Sequence, residues 1–261
     1  MNFLKSTVIM LSLYTKIPVP FVEWDDENRK HVLTVLPLAG FITGAFEILW
    51  LFICELFRFP SAVFAAGACA AAAAVTGGIH LDGLADTADA RASYAGHEKK
   101  QQILADPHMG AFGALALVIY ELVCFAFFQV IYRIGDKGWI IHTALMLICI
   151  FTASRAIVQL GIALVKPARN EGMLYTFSSV SSRRLLILNA SAVLAVCQCA
   201  LVRAFGPPAL VFSAACALLL IYFRYMAYKE FGGISGDLCG WLIEISVAVL
   251  LIAAAAVLRM I

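Results

Sequence analysis

One stretch of the chain concentrates residue types that move protons or hold a cation. The run TGGIHLDGLADTADARASY places His80, Asp82, Asp86 and Asp89 within ten residues. In a helix Asp82, Asp86 and Asp89 stand at i, i+4 and i+7, so their carboxylates share one face. Like charges so placed repel by a few tenths of a kcal/mol per pair, roughly, and call for a cation. Hard oxygen ligands on a partly open face suit Mg2+, which keeps several waters and is completed by substrate phosphates. Asp82 and His80 are then the candidate proton acceptors. The same spacing also fits a solvated acidic helix start, its carboxylates complementing the positive end of the helix dipole. Gly77, Gly78 and Gly83 favour the first reading, because glycines weaken a helix but let backbone approach a ligand.

Further candidates surround this run. Residues 80–110 hold five carboxylates against three Lys and Arg, and Asp106 in QILADPHMGAFG is a candidate substrate contact. Asp237 and Glu244 in GGISGDLCGWLIE repeat the i, i+7 spacing, one near the start of an apolar stretch and one two turns inside it. A carboxylate within a membrane costs about 2.5–3.5 kcal/mol unless paired or solvated, which makes both functional candidates, although Asp237 also suits a helix N-cap. Arg155 lies deep in another apolar stretch, where it needs either an acidic partner, with Glu47 and Glu121 at similar depth, or a substrate phosphate. Lys166 and Arg169 in KPARNEGMLYTF could hold a phosphate or serve as interfacial anchors.

These residues sit in a chain built for a bilayer. Of 261 residues, 62% are hydrophobic and 14% charged, where a soluble domain carries about 25% charged residues. Mean hydropathy is +0.90. A soluble globular enzyme is excluded. With 19 Lys and Arg scattered against 17 Asp and Glu, so is a nucleic-acid-binding chain. The eight cysteines show no CxxC pairing and read as small buried hydrophobes. Apolar runs near 36–57, 61–79, 111–132, 139–165, 185–205, 208–228 and 239–258 predict about seven transmembrane helices. The apolar face of the first residues, with Leu4, Val8 and Leu11 at i, i+4 and i+7, predicts a short interfacial helix rather than a span. The expected architecture is therefore all-α, polytopic and a single domain over 1–261.

Thirteen Lys and Arg fall on the side that holds the N-terminus and five on the other, with Arg155 inside a span. This predicts a cytoplasmic N-terminus. The long polar segments 80–110, 166–184 and 229–238 then fall on the same side as the N-terminal arm, as expected of an enzyme with a cytoplasmic substrate. A transporter using Glu47, Glu121, Arg155 and Glu244 as a polar pathway is the rival from another class. A CDP-alcohol phosphotransferase is the nearer rival, but the Ala-Arg and the later pair of spaced aspartates of its motif do not follow Asp82.

GGIHLDGLADTADA, followed by QILADPHMGAFG, resembles the signature of the cobalamin synthase, or adenosylcobinamide-GDP ribazoletransferase, family. YTKIPVP with PLAGFITG, SRAIVQLGIALVKPARNEGMLYTF and GGISGDLCGWLIEI resemble further family stretches in the same order, so that the likeness covers most of the chain. Ala105 and His108 depart from the family's usual pattern around Asp106 and leave the acidic core intact. The resemblance implies a polytopic enzyme of the bacterial cytoplasmic membrane that joins α-ribazole or its 5′-phosphate to adenosylcobinamide-GDP with Mg2+ and releases GMP. For such a reaction Asp82, Asp86 and Asp89 are the candidate metal ligands, His80 or one of these carboxylates, Asp82 first, the candidate base, and Asp106, Arg155, Lys166, Arg169, Asp237 and Glu244 the candidate substrate contacts. A homo-oligomer, or an assembly with other cobamide-building enzymes, is compatible with it. No GxxxxGK[ST] occurs, in keeping with a nucleotide that leaves rather than one gripped by a P-loop.

Overall fold

A computed structural model describes residues 2–132 and 137–260, which form helices with no strand among them. In chain order these are α1 (Asn2–Tyr14), α2 (Asp26–Arg29), α3 (Leu36–Leu56), α4 (Ser61–Thr76), α5 (Ile79–Ala92), α6 (His97–Leu104), α7 (Ala111–Ile131), α8 (Lys137–Leu164), α9 (Gly172–Ser178), α10 (Arg183–Phe205), α11 (Leu210–Phe231) and α12 (Gly236–Met260). Six helices are long and apolar enough to cross a membrane, namely α3, α7, α8, α10, α11 with its leading turn, and α12. Of the cations assigned to the outer side, Arg133 and the side chain of Lys137 lie outside the described residues.

The remaining span differs from expectation. Instead of running through to residue 79, α4 stops at Thr76 and α5 leaves it at 96°. Gly77 and Gly78 carry the turn in consecutive left-handed conformations, φ +66° and +76°, which side-chain-bearing residues rarely adopt. The Lys16 side chain lies against Gly77, where a β-carbon would come within 2.0 Å of its Cε. At sixteen residues α4 is about 24 Å long. The polar α5 does not extend it across the bilayer but runs crosswise at its end.

Helices α8 and α12 are the buried axis of the bundle. Both are about four-fifths buried along their apolar windows, whereas α7 and α10 keep most of theirs on the outside, facing the bilayer. Small residues let α12 approach α5 closely: a β-carbon on Gly83 would lie 2.7 Å from the Asp237 carbonyl oxygen, and one on Gly240 3.1 Å from that of His80. The crosswise helix is thereby seated on the first turns of α12.

The polar segments do gather at one end. The Lys16 backbone donates to the Val75 carbonyl at 2.8 Å, Ile234 N–H to the Lys166 carbonyl at 2.9 Å, and Ala168 N–H to the Ile234 carbonyl at 2.9 Å. The Ser6 hydroxyl ties α1 to the Asn28 carbonyl at 2.6 Å, and Ile9 and Met10 bury α1 while Phe3 and Leu4 remain exposed. At thirteen residues α1 is too short to span.

Candidate active site

All three carboxylates of the acidic run stand on α5, but in different surroundings. Asp82 is exposed, and Asp86 and Asp89 are half-buried. Asp86 lies within electrostatic reach of Asp82, Asp237, Asp89 and Asp106. Its partial burial first, and those four negative charges after it, push its pKa from the usual carboxylate range up to about 7. Five carboxylates from α5, the loop before α7 and the start of α12 thus share one acidic patch, although they span 156 positions of sequence from Asp82 to Asp237. A cation placed there would relieve their repulsion.

Asp89 does something the spacing did not suggest. Its Oδ2 accepts the Gly110 N–H at 2.7 Å and its Oδ1 the Gly113 N–H at 2.9 Å. It therefore satisfies two of the orphan donors that begin α7, and its negative charge stands at the positive end of that helix. Asp106 is exposed and accepts both the backbone N–H and the ring Nδ1 of His108, at 3.0 and 2.8 Å. The His108 backbone bond, then its ring, hold the Asp106 carboxyl below the usual range.

His80 is placed elsewhere. It is 3% exposed and stacks on Tyr14 with ring centroids 6.0 Å apart. Burial first, and the charge of Arg155 second, hold its pKa well below the usual histidine value. Its ring is thus buried against α1.

Beside Asp237, a cleft of about 270 Å³ lies between the end of α6, the segment before and within α9, and the turn into α12. Arg169, Glu171, Tyr175, Ser235 and Asp237 supply its polar lining. Lys166 does not enter it, because Pro167 bridges to Ile234 and the Lys166 side chain falls in a separate cavity with Arg183 and Arg224. Lys166 and Arg169, two candidate phosphate contacts, thus line different cavities on either side of Pro167.

Arg155 and Glu244 lie within the bundle. Arg155 is 2% exposed, bonds the Ser154 hydroxyl at 3.0 Å and stacks over the Phe151 ring at 5.7 Å. Glu244 is the carboxylate within electrostatic reach of it, and among the described residues no ion pair joins it to Glu47 or Glu121. Glu244 also accepts from the Tyr120 hydroxyl. The cavity bounded by Glu121, Tyr120 and Glu244 measures about 10 Å³, room for a single water. These buried charges are packed among side chains of the bundle.

Sequence reasoning missed Glu230. It receives Arg91 at 3.2 Å and Lys100 at 3.0 Å, while His97 bonds the Lys229 carbonyl at 2.9 Å and Gln101 donates to the Phe231 carbonyl at 3.2 Å. This clamp holds α5 and α6 against the end of α11. Arg91 and Glu230 stand 139 residues apart, and no local pattern links them.

Among the described residues no three His, Cys, Asp or Glu side chains converge closely enough to cage a metal ion. Mg2+ needs no such cage, being commonly bound by one or two carboxylates and finished by waters and phosphates. Among the described residues the exposed Asp82 and the charge-burdened Asp86 accept no hydrogen bond, whereas both oxygens of Asp89 are taken by backbone donors, Asp106 Oδ1 serves His108 and Asp237 Oδ2 meets the Ser235 hydroxyl at 3.5 Å.

The chain is similar to proteins of known name over nearly its whole length. A sequence description of the family Cobalamin-5-phosphate synthase matches residues 6–255. An adenosylcobinamide-GDP ribazoletransferase of Lachnoclostridium phytofermentans is 30% identical over 92% of this chain and 89% of its own. One of Acinetobacter baumannii is 32% identical over 93% and 94%, and one of Clostridium perfringens 30% over 92% and 93%. No solved structure matches. The match runs from α1 to the last turns of α12 and takes in every helix that bears the acidic patch and its cleft: this membrane-spanning chain belongs to the cobalamin-5-phosphate synthase family of cobalamin-synthesising enzymes.

Proposed function

We propose that the protein transfers the cobinamide phosphoryl group of adenosylcobinamide-GDP to the ribose hydroxyl of α-ribazole or its 5′-phosphate, forming a phosphodiester and releasing GMP. The observation that supports it most directly is the acidic patch around Asp86, set against a cleft that also contains Arg169. The names of the similar proteins point to the same reaction. Bound at Asp82 and Asp86, with Asp89 at the same helix face, Mg2+ would neutralise pyrophosphate charge as the phosphorus–oxygen bond to GMP breaks.

The chain's own residues supply the rest. Asp82, exposed on α5, or Asp237, in the lining of the cleft, would accept the proton of the attacking hydroxyl, a role the burial of His80 makes less suited to its imidazole. Arg169 offers two parallel donors to a phosphate, with Ser235 beside it. Asp106 orders the loop entering α7 through its bonds to His108. At about 270 Å³ the cleft accommodates a phosphorylated ribose, whereas the corrin ring must remain outside it. Glu244 and Arg155 serve the bundle beneath the site.

The charge distribution supports a bacterial cytoplasmic membrane location with the N-terminus and the site on the cytoplasmic side. The test is GMP release and cobamide formation by membranes containing this chain, given adenosylcobinamide-GDP and α-ribazole with and without Mg2+. Metal-dependent product that disappears in Asp82→Asn is expected; product unaffected by that substitution would overturn the assignment of the acidic patch.

A further inference from the structure

A second polar cavity, of about 610 Å³, opens where α8, α10 and α11 end near α9. Lys166, Arg183 and Arg224 enter it, together with Tyr228, Ser178 and Ser181. No carboxylate lines it, and among the described residues none of these three cations is paired with one. The Arg224 guanidinium lies 5.9 Å from the Tyr228 ring centroid, and the Tyr228 hydroxyl accepts the Lys166 N–H at 3.1 Å. Three positive charges thus share one concavity without a counter-charge among the described residues, whereas Arg91 and Lys100 are both ion-paired with Glu230.

The same three helices enclose a second hollow farther along their axes. It measures about 270 Å³ and is almost wholly apolar, with Ile157 and Leu160 of α8, Leu194 and Leu201 of α10, and Phe212 and Leu220 of α11. On each helix its residues follow those of the basic cavity by about one or two turns: Leu164 gives way to Leu160 on α8, Leu186 to Leu194 on α10, Arg224 to Leu220 on α11. From Leu160 to Cys149 the hollow extends about 16 Å along α8. A headgroup-sized basic basin and an apolar trough are thus aligned one beyond the other along the same three spanning helices.

We propose that this groove seats an anionic phospholipid, its phosphate among Lys166, Arg183 and Arg224 and an acyl chain along α8 between α10 and α11. A soluble phosphate ester would fill only the basin and leave the trough unused. A second copy of the chain would bring its own cations to the basin. Basic basins between spanning helices on the cytoplasmic side select acidic headgroups on the same electrostatic grounds. The seat lies across Pro167 from the reaction cleft, and its occupancy does not depend on the reaction proposed above.

The full chain, reconstituted in phosphatidylcholine vesicles, is probed with spin-labelled phosphatidylglycerol and phosphatidylcholine, reading the motionally restricted fraction. The wild type should retain phosphatidylglycerol at least about fivefold more strongly, and Arg183→Gln with Arg224→Gln should abolish the preference. Ala217→Phe, which fills the trough without touching a charge, should release the restricted chain. Glycerol 3-phosphate, carrying the anion without acyl chains, should leave the label in place. A wild type without preference, a preference surviving the double substitution, a label retained in Ala217→Phe, or displacement by millimolar glycerol 3-phosphate would each overturn the proposal, the last assigning the basin to a soluble phosphate. Thermal melts of each variant separate these outcomes from misfolding.

Discussion

Asp89 and Gly113 meet because Gly113 has no side chain: a β-carbon there would stand 2.5 Å from the Asp89 Oδ2, and the Asp89 Oδ1 takes the Gly113 N–H at 2.9 Å. Gly110 faces the same carboxylate just as closely. The acidic run and the later HMGAFG segment are thus two halves of one joint, with α5 supplying the cap for α7.

That joint predicts coupled substitutions. Asp89→Asn would turn one acceptor oxygen into an amide donor facing an N–H, costing about 1–3 kcal/mol. Gly113→Ala would push the carboxylate away and lose the same bonds. In thermal melts of the detergent-solubilised protein, the double variant should therefore be little worse than either single one. Additive losses would show that the two residues do not act together.

The metal assignment makes a prediction independent of turnover. Mn2+ titrated into the purified protein should bind at the patch, and Asp86→Asn or Asp82→Asn should weaken it by about tenfold or more. His80→Gln should leave Mn2+ binding unchanged while lowering the melting temperature, because its ring is buried against Tyr14. Equal loss of Mn2+ in all three variants would contradict the placement of His80 away from the patch.

Glu230 neutralises Lys100, whose side chain is 7% exposed, and the half-exposed Arg91. Glu230→Gln leaves Lys100 without its counter-charge, at a cost of about 1–3 kcal/mol given the partial solvent access of Glu230. Hydrogen exchange should rise chiefly in α6. Lys100→Met, which removes the charge that needs a partner, should be the milder change. The reverse order would show that the clamp is not electrostatic.

Within the bundle, Arg155 answers to Glu244. Glu244→Gln should therefore destabilise by on the order of 3 kcal/mol, and combining it with Arg155→Met should recover part of that loss. Glu47 is fully buried, and its two carboxylate oxygens meet no hydrogen-bond partner among the described residues. Glu47→Gln has no such interaction to lose, and its cycle with Arg155 should show no coupling.

The spans were readable in the sequence because a bilayer imposes length and apolarity on each helix separately. Helices α3, α7, α8, α10, α11 and α12 begin and end within a few residues of their apolar runs. The break at Gly77 was readable only in part: the paired glycines were visible, but the 96° turn depends on α5 finding a seat on Gly240. The acidic face was explicit in the i, i+4, i+7 spacing. What each carboxylate does was not, since Asp89 is committed by backbone donors more than twenty residues away. Arg155 shows the same limit. Depth along a span selects acids at the right height, but only the rotation of each helix decides that Glu244, and not Glu47 or Glu121, comes within electrostatic reach of it.

The shortness of α4 has a mechanical consequence. A helix of about 24 Å in a hydrocarbon layer of about 30 Å falls short by roughly 6 Å. Hydrophobic mismatch of this size is met by thinning the surrounding lipid or by drawing the end of the helix inward. Both bring α5, which leaves that end sideways, down to the level of the phosphate headgroups. A substrate held at the membrane surface would then approach Asp82 and Asp86 by lateral diffusion in two dimensions, and changing bilayer thickness would alter how far the two carboxylates stand from it.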